Sequence, residues 1–135
     1  MKYFLLLFFS LTTVFSFAQD VQEKVIPDVR LYEVYERDYI NSLVIENPFL
    51  VKRWNYYLDN AFVIKEDIAE KGGDYPEITI LDLKNINILL LEKEQKLERN
   101  WDVPVIYKIR GTDQILIYYA GKDFTESLKK QLGKN

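Results

Sequence analysis

Residues 105–119 read VIYKIRGTDQILIYY, and this stretch gives the clearest prediction of local structure in the chain. Side chains alternate along residues 105–110, which is the period-two pattern of a strand that is buried on one face. Gly111 to Gln114 have the composition of a turn. The stretch therefore predicts two antiparallel strands joined by a four-residue loop, that is, a C-terminal β-hairpin.

An amphipathic segment follows the hairpin and predicts the last helix. Gly121 is expected to end the second strand, and Asp123 and Glu126 have the spacing of a capping box. Gly133 is suited to the C-cap. The predicted apolar stripe of this helix consists of Phe124, Leu128 and Leu132.

Upstream, the dipeptide Asn47-Pro48 marks the boundary between two further helices. The residue before a proline is disfavoured in a helix, asparagine is a good N-cap, and proline suits the first helical position. The second of these helices is predicted from Pro48 to about Leu58. The first is predicted to start near Pro27, because residues with helical spacing form an apolar face consisting of Tyr32, Tyr35, Tyr39 and Leu43.

The middle of the chain gives weaker signals. Residues 61–65 (AFVIK) predict a short strand, residues 78–81 (ITIL) a possible second strand, and residues 66–70 a helical turn ended by Gly72-Gly73. Residues 83–99 favour a helix from about Asn85 to Arg99, although strand-like alternation leaves residues 83–91 open. The predicted fold is an α+β domain, whose small, mainly antiparallel sheet packs against about four helices.

Residues 1–18, MKYFLLLFFSLTTVFSFA, predict a secretory signal peptide. Lys2 precedes the apolar run, and Ser16 and Ala18 supply small residues at the cleavage site. The apolar run spans about 15 residues, fewer than a membrane-spanning helix needs. This leader resembles those of Gram-negative bacterial periplasmic and secreted proteins. We therefore expect a single domain over residues 19–135, with a loosely ordered lead-in over 19–26, exported to the periplasm or the exterior without a membrane span.

The composition excludes several classes of function. The 135 residues contain no His and no Cys, which removes imidazole bases, thiol nucleophiles, disulfides and most transition-metal sites. The net charge of −3 would become −4 without Lys2, so nucleic acid is not an expected partner. No glycine-rich nucleotide-binding motif and no GxSxG motif occurs. Neither a cofactor nor a metal is predicted.

Glycoside hydrolysis is one enzymatic chemistry that remains possible without His, because it needs only two carboxylates. The densest local cluster is Glu92, Glu94 and Glu98 on the predicted helix over residues 85–99. Lysine and arginine residues are interspersed among these three, which is typical of a solvated helix face. No catalytic residue is therefore predicted.

Partner binding has more candidates. Arg53 and Tyr56 lie one helical turn apart, while Leu50, Trp54 and Tyr57 are expected to face the core. Trp101 lies between the predicted helix and the hairpin and would be a binding hot spot if exposed. The predicted partner-binding residues are Arg53, Tyr56, Trp101, Tyr32, Tyr35 and Tyr39, and for each of them packing at the core is the competing interpretation.

The sequence thus favours a non-catalytic exported domain that recognises an envelope protein, a peptide or a glycan. One alternative is a small hydrolase of extracellular glycan with a carboxylate pair. Another is an inhibitor or immunity-type protein, whose acidic residues would block a basic active site. The oligomeric state has no signal in the sequence.

Overall fold

A computed structural model describes residues 23–66 and 74–133, which form five helices and four strands. The helices are α1 (Leu31–Val34), α2 (Arg37–Glu46), α3 (Pro48–Asn60), α4 (Ile88–Gln95) and α5 (Gly121–Leu132). The strands are β1 (Phe62–Glu66), β2 (Glu77–Ile78), β3 (Val105–Ile109) and β4 (Gln114–Tyr118). The predicted α+β class is confirmed. The predicted leader over residues 1–18 lies outside the described ranges, as does the predicted helical turn over residues 66–70 except for Glu66, which belongs to β1.

The four strands form one sheet in the order β1-β4-β3-β2. Strands β3 and β4 pair antiparallel around Gly111, whose φ of 75° is a conformation that favours glycine. Strand β1 pairs antiparallel with β4, placing Phe62 opposite Tyr118, and it begins one residue later than predicted. The two-residue strand β2 pairs parallel with β3, so the strand predicted over residues 78–81 contributes only Ile78.

The two faces of the sheet differ. Alternate residues of a strand point to opposite faces, and one set packs beneath the helices. These buried residues are Tyr107, Ile109, Leu116 and Tyr118. The other face carries a row of partly buried aliphatic side chains next to Lys65 and Lys108, and the row consists of Val63, Ile106, Ile115 and Ile117. Within the part of the chain that the structure describes, the core therefore lies on one side of the sheet.

The prediction of a single helix starting near Pro27 is wrong, because this segment forms two helices, α1 and α2. Tyr35 has extended backbone angles (φ −122°, ψ 154°), as does Glu36 (φ −62°, ψ 141°). Leu31 and Ile40 are both fully buried. Nine residues apart in one straight helix, their side chains would point about 180° away from each other. The break allows both to enter the same core, which the tyrosine spacing does not reveal.

Helix α4 is shorter than the predicted helix over residues 85–99. It begins after Asn87, whose Oδ1 accepts a hydrogen bond from the Leu90 amide at 3.2 Å. It ends at Lys96, which takes a left-handed conformation with φ 53°. Glu98 then lies in a non-helical segment, where its amide donates to the Tyr107 hydroxyl. Glu94 and Glu98 consequently do not share a helix face.

Helix α5 begins three residues earlier than the predicted capping box at Asp123 requires. Ala120 is the N-cap, and no side chain caps this end. The amides of Gly121 and Lys122 instead donate to the main-chain carbonyls of Asn100 and Trp101, at 2.8 and 3.1 Å. The loop before β3 thus takes the place of the capping side chain that the sequence suggests. The predicted end of the helix at Gly133 is confirmed.

Residues 23–26 are docked on α3, whereas the sequence suggests a loosely ordered lead-in. Val25 is buried, with 8% of its surface exposed. The side-chain amide of Asn55 donates to the Ile26 carbonyl at 2.8 Å, and its oxygen accepts a hydrogen bond from the Asp28 amide at 2.9 Å. One side chain of α3 therefore holds the start of the described chain.

Arg30 connects three separate segments of the chain. Its guanidinium donates to the carboxylates of Asp28 at 2.7 Å and Asp59 at 2.6 Å. It also donates to the carbonyl oxygens of Ile86 at 3.0 Å and Leu58 at 3.4 Å. Hydrogen bonding to Arg30 lowers the pKa of the Asp28 carboxyl below its usual value. This network fixes α1 against the end of α3 and the start of α4.

Candidate functional site

A cleft of about 240 Å³ lies between α3 and α5, and we call it the α3–α5 cleft. Leu89 of α4 and Arg99, which follows α4, complete its wall. The remaining lining residues are Leu50, Arg53, Trp54 and Tyr57 from α3, and Phe124, Thr125 and Leu128 from α5. The described lining thus combines apolar and aromatic side chains with two arginines and includes no Asp or Glu.

The start of α3 explains how its side chains reach the cleft. Asn47 caps the helix by accepting a hydrogen bond from the Leu50 amide at 3.1 Å, and Pro48 is the first helical residue, as predicted. Val51 and Leu58 are fully buried, and they occupy the core positions of the helix. Leu50, Trp54 and Tyr57 are partly buried and pack against the core, as predicted, and the same three side chains also line the cleft.

Arg99 has an unusual environment for a cation. Its guanidinium carbon lies 4.6 Å from the ring centre of Phe124, 5.3 Å from that of Tyr57 and 5.5 Å from that of Tyr118. These distances are within the range of cation–π attraction. Its Nε donates to the Tyr119 carbonyl at 3.2 Å. Its Nη2 is buried and has no hydrogen-bond acceptor among the described residues.

The Tyr57 hydroxyl occupies the centre of a small polar group behind the cleft. It donates to the Glu92 carboxylate and is also in hydrogen-bond contact with the Tyr118 hydroxyl. Burial, together with the Glu92 carboxylate, raises the pKa of Tyr57 above its usual value. Burial also raises the pKa of Glu92, although the Tyr57 hydroxyl and the Arg99 charge oppose this. Tyr57 therefore stays neutral and keeps its proton at physiological pH.

Two of the predicted tyrosines extend the wall of the cleft. Tyr35 stacks on Trp54 with ring centres 4.8 Å apart and ring planes 6° from parallel. Tyr39 is tilted against both rings, at 6.1 Å from Tyr35 and 6.5 Å from Trp54, and 48% of its surface is exposed. We call Tyr35, Tyr39 and Trp54 the aromatic platform. It joins α2 and α3 beside the cleft.

The other predicted partner-binding residues divide into two groups. Arg53 is exposed at the rim of the cleft, and Tyr56 packs its ring on Phe124 with centres 5.7 Å apart. The Tyr32 hydroxyl donates a hydrogen bond to Oδ1 of Asn41 at 3.2 Å, and Tyr32 does not line the cleft. Trp101 is 61% exposed and packs on the first residue of α5, away from the lining. Four of the six predicted residues thus lie near Trp54 or Phe124, namely Arg53, Tyr35, Tyr39 and Tyr56.

Sequence reasoning missed the two charged groups of this region. It placed Glu92 on a solvated face with Glu94 and Glu98, whereas Glu92 is partly buried and the other two are exposed. A signal for this exists, since Glu92 lies one turn after the buried Ile88. Arg99 has no such signal, because its position depends on the left-handed turn at Lys96 that ends α4.

Within residues 23–66 and 74–133, no three acidic side chains gather as metal ligands would, and no helix is long and apolar enough to cross a bilayer. The chain matches no protein family, no curated protein and no solved structure.

Proposed function

We propose that this chain is a non-catalytic binding domain that recognises a protein or peptide partner through the α3–α5 cleft and the aromatic platform. The observation that carries the proposal is the lining of the cleft, which combines Trp54 and Tyr57 with Arg53 and Arg99. Tryptophan, tyrosine and arginine are the residues that most often dominate binding energy at protein interfaces. Here they converge from α3 and the segment after α4.

The size of the cleft favours a protein or peptide over a free small molecule. Sites for drug-sized ligands measure roughly 300–1,000 Å³. A cleft of about 240 Å³ suits a single side chain or a chain end that belongs to a larger partner. Tyr35 and Trp54 cover one face of each other by stacking, which reduces the ring surface available to a sugar.

The two alternative functions have less support. A hydrolase needs a second carboxylate about 5–10 Å from the first. Glu92 has the raised pKa that suits an acid catalyst, but the described lining of the cleft offers no partner carboxylate. An inhibitor of a basic active site would present acidic groups, whereas arginines are the charged groups of this cleft.

Export is part of the same proposal, because residues 1–18 have the pattern of a secretory signal peptide. The mature domain over residues 19–135 would then meet its partner in the periplasm or outside the cell. The mainly antiparallel sheet, with its β3–β4 hairpin, would act as the rigid support beneath the site, since the Tyr118 hydroxyl of β4 contacts Tyr57.

Site-specific photo-crosslinking tests the proposal. p-Benzoylphenylalanine replaces Tyr39 on the aromatic platform in one variant and Trp101 in a matched control variant, because both positions are exposed aromatics. The two full-length variants are irradiated in cells that produce them, and adducts are identified by mass spectrometry. We expect a discrete adduct from position 39 that Arg53→Glu reduces. Adducts from position 101 alone, or equally from both positions, would contradict the proposed site.

A further inference from the structure

We infer that the α3–α5 cleft receives the C-terminal residue of the partner, with the terminal carboxylate at Arg99 and an apolar side chain against the walls. This inference rests on the proposed function, since it names the group of the partner that enters the cleft. Trp54, Leu89 and Phe124 are the apolar contacts that it assigns.

The first argument is the unpaired cation. Only Nε of Arg99 has an acceptor among the described residues, Nη2 is buried without one, and no ion pair of the described chain includes this guanidinium. Arg99 is partly buried, and charged groups removed from water in folded proteins are nearly always paired with an anion. Three ring faces compensate part of the charge, but they form no strong directed hydrogen bond. Because Nη2 has no exposed surface, a carboxylate supplied from outside would bind the guanidinium at Nη1, which also has no acceptor among the described residues.

The second argument is that the nearby carboxylate of the chain is already engaged. Glu92 accepts a hydrogen bond from the Tyr57 hydroxyl and does not form an ion pair with Arg99. Glu92 is also absent from the residues that line the cleft. The described lining carries two arginines and no acid, so its charge is complementary to an anionic group.

The third argument distinguishes a chain terminus from an acidic side chain. Apolar walls and a guanidinium share a space of about 240 Å³, so one residue must supply both an apolar group and a carboxylate. A C-terminal residue carries both groups on the same carbon atom. An Asp or Glu side chain offers only methylene groups beside its carboxylate. Capture of a terminal carboxylate is an established way of recognising peptides.

Peptide titration followed by NMR tests the inference on the full chain. The probe is acetyl-Ser-Gly-Ser-Leu with a free C-terminal carboxylate. The chain has two tryptophans, Trp54 in the cleft wall and Trp101 outside it, so their indole N–H signals report on the site and on a control. We expect the Trp54 signal to shift saturably while the Trp101 signal stays in place.

Two further peptides separate the possible sources of the carboxylate. The C-terminal amide of the same peptide should bind about tenfold or more weakly, because it cannot form the charge-assisted hydrogen bonds. The amide of acetyl-Ser-Gly-Ser-Glu, which carries its carboxylate on a side chain, should be similarly weak. Equal binding of acid and amide would overturn the inference, and equal binding of the glutamyl peptide would overturn the assignment to a chain terminus.

Variants locate the carboxylate. Arg99→Gln should abolish the difference between acid and amide, while Arg53→Gln at the rim should weaken both peptides and keep the difference. An unchanged acid preference in Arg99→Gln would overturn the inference. If that variant does not fold, the three peptides on the natural chain decide the question. No Trp54 shift with any peptide also overturns the inference, and crosslinking at position 39 then tests the proposed function separately.

Discussion

Glu92 shows how one residue of this fold departs from its usual chemistry. A glutamate on an exposed helix face titrates near its reference pKa of about 4.3. Here burial raises the pKa, so the charged form is less favourable in the folded protein than in the unfolded chain. The Tyr57 hydroxyl donates to the carboxylate and partly offsets this penalty. Glu92 therefore costs stability at neutral pH.

Replacing Glu92 should make this cost visible. Glu92→Gln keeps an acceptor for Tyr57 without the charge, so we expect a free energy of unfolding at pH 8 that is higher by on the order of 1 kcal/mol. The gain should shrink as the pH falls and be small near pH 4, because Glu92 is then largely protonated in both the folded and the unfolded state. Urea denaturation from pH 4 to 8 measures it. A variant less stable than the natural chain at pH 8 would contradict the assignment.

Asn87 is a buried polar residue that forms three hydrogen bonds, two of which join α4 to α1. Its amide nitrogen donates to the Arg30 carbonyl and to the Glu33 carboxylate, both at 2.8 Å. Its oxygen caps α4 through the Leu90 amide. The side chain is 7% exposed, so a lost partner is not replaced by bulk water.

Asn87→Asp separates the two roles, because aspartate retains the capping oxygen and loses both donors. It also brings a carboxylate against Glu33, so we expect a loss of about 2–4 kcal/mol in the free energy of unfolding. Asn47→Asp is the matched control at the exposed N-cap of α3, where asparagine and aspartate are nearly equivalent and a change within about 0.5 kcal/mol is expected. Equal losses in the two variants would show that the donors of Asn87 contribute nothing.

The residues of the candidate site were only partly predictable. Arg53, Tyr35, Tyr39 and Tyr56 stand out in the sequence because basic and aromatic side chains in helical segments suit interfaces. Arg99 does not stand out, because tertiary structure places it over three rings. A sequence identifies residue types that bind well, but it does not show that Arg99 lies over three rings and forms no ion pair among the described residues.

At the scale of elements, the sequence predicted the helix and strand boundaries that depend on neighbouring residues. It missed those that depend on contacts between residues far apart in the chain. Helix α3 begins at Pro48, and strands β3 and β4 flank Gly111, because capping and turn residues act on their own neighbours. The break between α1 and α2 follows from the shared burial of Leu31 and Ile40. Such burial depends on residues distant in sequence, and helical spacing alone does not report it.

The start of α5 depends on close contact between Gly121 and Trp101. A Cβ at position 121 would lie 2.6 Å from Cε3 of Trp101 and 3.4 Å from its Cα, which is too close for the ring to remain in place. One part of the Trp101 ring packs on Gly121, while 61% of the residue stays exposed. Glycine at this position is therefore a requirement of packing and not of backbone conformation.

A double-mutant cycle tests this contact. Gly121→Ala should lower the free energy of unfolding by about 1–2 kcal/mol, because overpacking displaces the ring. In a Trp101→Ala background the same substitution should be neutral or stabilising, since alanine is the better helix former. Thermal unfolding of the four proteins measures the coupling. Equal effects in the two backgrounds would mean that Trp101 is not the obstacle.

On the scale of the whole molecule, residues 23–26 belong to the folded domain. Val25 is buried, and Asn55 holds the Ile26 carbonyl. A chain that begins at Pro27 should therefore be less stable than one that begins at Glu23, by about 1–2 kcal/mol for the lost burial and hydrogen bond. Denaturant midpoints of the two chains measure the difference. Identical midpoints would show that the docked segment contributes no stability.

The order of strands in the sheet has a consequence for folding during translation. Strands β3 and β4 are neighbours in sequence and can pair by closing a short loop. Strand β1 pairs with β4, which lies much later in the sequence, so that Glu66 pairs with Gln114. During translation, β1 leaves the ribosome long before its pairing strand exists. An unpaired apolar strand is a template for aggregation. The nascent chain thus carries its greatest risk of misassembly until residue 118 emerges, and its sheet forms only after that point.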